Sequence, residues 1–126
     1  MASGSETESN GETLIYTCAG AAYTGQVANR AGVNLTQDGT GKLFCIAAMA
    51  ADVPQKMERA RNAAKRVIID GCEDHCCRLI MEKAGLPYDA HVVLTDLGIE
   101  KQPEQPQMIN DAKKAAEAVR QALAAD

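Results

Sequence analysis

Four short runs of β-forming apolar residues recur along the chain, each too short for a helix and each followed by residues a helix can use. The first, Thr13 to Cys18, reads as a buried strand; Ala19 to Gly25 then turns the chain into a helix over Gln26 to Ala31, with Gly32 as its stop. The second runs from Lys42 to Ala48, and Asp52 and Pro54 suit the N-cap and first turn of a helix over Gln55 to Lys65. Arg66 to Ile69 is β-branched; Asp70-Gly71-Cys72 turns, and Asp74 to Ala84 reads as a helix closed by Gly85 and Pro87. The fourth strand is His91 to Thr95. The last helix, Gln107 to Ala125, puts Met108, Ala112, Ala115, Val119 and Ala122 on one face. Such alternation predicts an α/β fold: a single open, mostly parallel sheet of about four strands with helices on both faces. A closed barrel of this kind takes about eight such units.

A chain of 126 residues is one ordinary domain. Residues 1–12, polar and without apolar periodicity, are expected to be a disordered leader, and 13–126 a single α/β domain. At this size the apolar core suffices for folding, so a metal needs a reason other than a small core. Few aromatics and a net charge of −4 remove the stacking surface and basic footprint of a nucleic-acid binder. No stretch reaches the roughly 20 apolar residues of a membrane span, and the polar, acidic start has no apolar signal region, so a cytoplasmic protein is expected.

Five cysteines in such a chain point to reduced thiols that bind metal, react or pack, rather than to a disulfide framework. Cys18, Cys45 and Cys72 each fall at or near the end of a predicted strand. All strand C-termini of a parallel sheet lie on one edge, and ligands collect there where the strand order reverses. Strands about 4.8 Å apart could bring three sulfurs to one ion. Cys76, four residues beyond Cys72, projects the same way if the helix starts near Asp74, and supplies a fourth ligand. Cys77 shares a stripe with Ile80, Met81 and Ala84 and is assigned to packing. Four thiolates favour zinc, one ion per chain, although they also suit iron.

Other candidates read more plainly. His75, between the helix cysteines, competes as a ligand but is expected to face elsewhere, and His91 at a strand start is expected to be structural. The turn Ala19 to Gly25 is a simple connection rather than an anion cradle. A strand-end cysteine before a loop and helix is also the layout of low-molecular-weight phosphatases and arsenate reductases. Those enzymes need an arginine soon after the cysteine, and here the first is Arg30, well into the helix.

The residues Val67-Ile-Ile-Asp-Gly-Cys72-Glu-Asp-His-Cys76 resemble the motif of the DGC-domain family, named for its Asp-Gly-Cys. The resemblance runs from about Leu14 to Leu86. It takes in Cys18 followed by Gly20, the stretch Gly25 to Arg30, and Lys42-Leu-Phe-Cys45. It implies a zinc ion on four cysteines, matching Cys18, Cys45, Cys72 and Cys76, with Cys77 outside the pattern. Many members carry Ser and Pro where this chain has Ala19 and Glu73. Three functional classes follow: a metal-binding or metal-handling module, a thiol-dependent redox or sulfur-transfer enzyme, and a structural zinc domain that binds a protein partner.

Overall fold

The computed structural model describes residues 9–125. Four strands, β1 (Thr13–Thr17), β2 (Lys42–Leu43), β3 (Lys65–Asp70) and β4 (Ala90–Val93), form one sheet in the order β2-β1-β3-β4, every pair parallel. Five helices accompany them: α1 (Tyr23–Gln37), α2 (Ile46–Ala50), α3 (Pro54–Arg61), α4 (Cys76–Lys83) and α5 (Met108–Ala124).

Alternation along the strands divides the core into two layers. Ile15, Val67, Ile69 and Val92 meet Val27, Ala31 and Leu35 of α1 and Ala112, Ala115 and Val119 of α5. Leu14, Tyr16 and Ile68 point to the opposite face, against Met49 of α2, Met57 and Ala60 of α3, and Cys77 and Met81 of α4. Both faces are thus covered, as a parallel sheet requires. The chain leaves β1 through α1 on one face and leaves β3 through α4 on the other. The strand order therefore reverses between β1 and β3, the place on the carboxyl edge where ligands of such sheets collect.

Several element limits differ from expectation for identifiable reasons. Gly32 does not stop α1, which continues to Gln37. A Cβ at Gly32 would lie 2.8 Å from Thr17 and 2.9 Å from Leu43, so this glycine lets the helix press onto the sheet. The run Lys42 to Ala48 divides. Only Lys42–Leu43 pairs with β1; Phe44 then turns inward to meet the Tyr16 ring edge-on at 5.9 Å, and Cys45 begins α2. Val53, not Asp52, occupies the N-cap of α3, and Asp52 takes a left-handed φ of 57°. The end of the fourth run, Leu94–Leu97, winds into a 3-10 turn. Of the expected leader, residues 1–8 lie outside the described residues. Asn10 donates its N–H to the Asn62 carbonyl, and Glu12 pairs with Arg59. Among the described residues no helix is long and apolar enough to cross a membrane.

Candidate metal centre

The cysteines are carried by three loops on the carboxyl edge of the sheet. Cys18 directly follows β1, and its N–H donates to the Ile69 carbonyl at 3.0 Å, which ties the first loop to the end of β3. Cys45 is the N-cap of α2, two residues beyond β2, and is exposed. Cys72 follows β3, partly buried, with its Sγ 3.6 Å from Asp74 Oδ2. Gly71 makes this crowding possible. A Cβ there would stand 2.9 Å from the Gly25 nitrogen, so the β3 loop rests on the first turn of α1.

Helix α4 begins at Cys76, two residues later than the sequence suggests. The cause is His75, whose left-handed backbone (φ 55°, ψ 40°) cannot continue a helix. Cys72 and Cys76 therefore do not share a helix face. They are joined by a turn in which the His75 N–H donates to the Cys72 carbonyl at 3.2 Å. Burial pushes the Cys76 thiol pKa up first, followed by the charges of Cys18, Asp70, Asp74 and Cys72. The Cys76 thiol thus lies within electrostatic reach of Cys18 and Cys72.

Cys77 lies away from this edge. It is 1% exposed, packs within the layer formed by Tyr16, Ile68 and Met81, and burial drives its thiol pKa far up. Cys77→Ala is expected to keep any bound metal and cost about 1 kcal/mol of stability, read from the urea midpoint. Loss of metal in this variant would reverse the roles of the paired cysteines.

The edge owes its shape to Asp70, a carboxylate only 1% exposed at the end of β3. Its Oδ1 accepts the Cys77 N–H at 2.8 Å, and its Oδ2 accepts the Arg78 N–H at 3.2 Å. Helix α4 has no local side-chain cap, and a residue six positions upstream of its start satisfies these first-turn donors. The negative charge also suits the positive end of the helix. Asp70 Oδ2 lies 2.8 Å from His91 Nε2 as well, and the His75 ring stands 5.3 Å from the His91 ring. The two histidines, expected to be uninvolved, are thus brought together over Asp70. Their separation of sixteen residues gives no spacing signal; only the β3/β4 register, which sets Ile68 opposite His91, predicts the meeting.

Among the described residues, Asp70, His75 and His91 form the set whose candidate ligand atoms all lie within 4.8 Å of one another. The four cysteine sulfurs are spread more widely. A tetrahedral zinc with bonds of about 2.3 Å holds its sulfurs about 3.8 Å apart, so the loops must draw in to share an ion. The donor chemistry suits a thiophilic ion: soft sulfurs on three adjacent loops, none of them in a disulfide.

A family model described as DGC domain matches residues 14–119. The anaerobic and virulence modulator AnvM of Pseudomonas aeruginosa is 28% identical over 101 residues, covering 80% of this chain and 77% of that protein. No solved structure matches.

Proposed function

Because the chain belongs to the DGC-domain family, we propose that it is a zinc-binding module whose ion is held by Cys18, Cys45, Cys72 and Cys76. One observation carries the proposal: these four cysteines lie at one sheet edge, on the segments that follow β1, β2 and β3, while Cys77 is withdrawn into the core. Zinc on four thiolates has a closed coordination sphere and no position for a catalytic water, which favours metal binding or handling over hydrolysis. Such a centre carries two net negative charges. Backbone N–H groups of the surrounding loops offset them.

Zinc uptake is expected to release protons. Cys76 holds its proton more tightly than an ordinary thiol, so the metal must displace it, and affinity should fall as the medium is acidified. Adding zinc to the metal-free chain in weakly buffered solution measures the release directly. Zinc uptake with no proton release would argue against thiol ligands.

The fold contains two apolar layers of its own, unlike a zinc finger. Chelation is therefore expected to remove zinc and lower Tm by mass action while far-ultraviolet circular dichroism keeps most of its helix and strand signal. The loops carrying Cys18, Cys45 and Cys72 should loosen first, because gathered thiolates repel when their cation is absent. Collapse to a coil spectrum would make the metal a structural staple for the whole domain. AnvM is named a modulator, which favours a second use of the same centre: a zinc-shaped edge that docks on a protein partner. In that case a partner retained by the zinc-loaded chain would be released on chelation. Five cysteines with no disulfide among them suit a reducing compartment, in keeping with a cytoplasmic location on either reading.

A further inference from the structure

We propose that Asp70, His75 and His91 form a second divalent-metal site, of two imidazoles and one carboxylate, beside the cysteine edge and independent of it. Their candidate ligand atoms already lie within 4.8 Å of one another. Bonds of about 2.0–2.2 Å place neighbouring ligand atoms about 3.0–3.5 Å apart, so a modest rotation of the rings completes the gathering. The ion would displace the proton shared by His91 Nε2 and Asp70 Oδ2, now 2.8 Å apart, while the carboxylate keeps the N–H groups of Cys77 and Arg78.

The hydrogen bond to Asp70 accounts for His91 without a metal. It does not account for His75. That residue holds a left-handed backbone that a non-glycine side chain rarely adopts, and its Nδ1 is shielded from solvent with no hydrogen-bond partner among the described residues. A shielded ring nitrogen with no partner, on an imidazole packed against a second one and beside a buried carboxylate, fits a donor to a cation. Two imidazoles and a carboxylate select first-row divalent ions such as zinc, iron(II) or cobalt(II) and leave coordination positions open. This site differs in kind from four thiolates, which close around their ion. It does not rest on the cysteine proposal.

Cobalt(II) added to the zinc-loaded full-length chain tests it. The expected result is one further ion per chain with weak visible ligand-field bands and no sulfur-to-cobalt charge transfer. The chain has only two histidines, and both ring signals should show paramagnetic shifts in the proton NMR spectrum. His91→Gln preserves a donor to Asp70, and His75→Gly suits the left-handed backbone, so both should fold. Each should weaken cobalt binding at least tenfold. A chain with all four edge cysteines changed to serine should still bind the ion, so failure of the thiolate centre and failure of this one are separable. The proposal is overturned if wild type takes no second ion, if both histidine variants bind as wild type does, or if the second ion shows sulfur charge transfer.

Discussion

Replacing any one of Cys18, Cys45, Cys72 or Cys76 with serine is expected to weaken zinc binding by well over 100-fold, beyond the 10- to 100-fold typical of changes to groups that only orient ligands. Four ligands act as a unit, because a hydroxyl at one corner is a poor donor to zinc and leaves three thiolates to repel one another around an incomplete shell. The loops leave β1, β2 and β3 separately, so each loss should register equally despite the differing exposure of the four side chains. Competition with a chromophoric chelator measures it. Wild-type affinity in the Cys45 variant alone would mean that the exposed thiol at the start of α2 stands outside the centre and that another donor completes it.

Asp70→Ala should be the most damaging change outside the cysteines, costing about 2–4 kcal/mol, because buried N–H donors lose their acceptor. It would leave the Cys77 and Arg78 N–H groups at the start of α4 without their acceptor and His91 Nε2 without its partner. The loop bearing Cys72 and Cys76 would lose its anchor at the same time, so the damage should extend from stability to metal affinity. Asp70→Asn keeps one carbonyl acceptor and should cost about half as much. Urea unfolding of the two variants separates these effects. A loss near or below about 1 kcal/mol for the alanine form would mean that water caps the helix adequately.

Strand and helix alternation was legible because it depends on local composition: β-branched runs such as Val67 to Ile69 and the small-residue face of α5 each specify one element. Strand order was not, since nothing in β2 or β3 states which side of β1 it joins. Element limits failed where a tertiary contact overrode a local rule. Gly32 resembles a helix stop but serves close packing against Thr17 and Leu43, and Phe44 leaves the sheet for the Tyr16 ring. The start of α4 was misplaced because His75 takes a left-handed backbone, and the helix's first N–H groups are capped by Asp70 from the preceding strand. The four edge cysteines could be found because strand ends share an edge. The grouping of His75 and His91 with Asp70 could not, because it depends on a left-handed residue and on the register of β3 with β4.

The central claim is that this edge holds zinc through its four thiols, and the most direct measurement is the elemental content of protein purified without added metal. The expected result is a colourless protein with close to one zinc per chain, retained in Cys77→Ala and absent from the serine variants of Cys18, Cys45, Cys72 and Cys76. An iron–sulfur or iron–tetrathiolate absorbance without zinc, or zinc that persists when those four cysteines are gone, would contradict it.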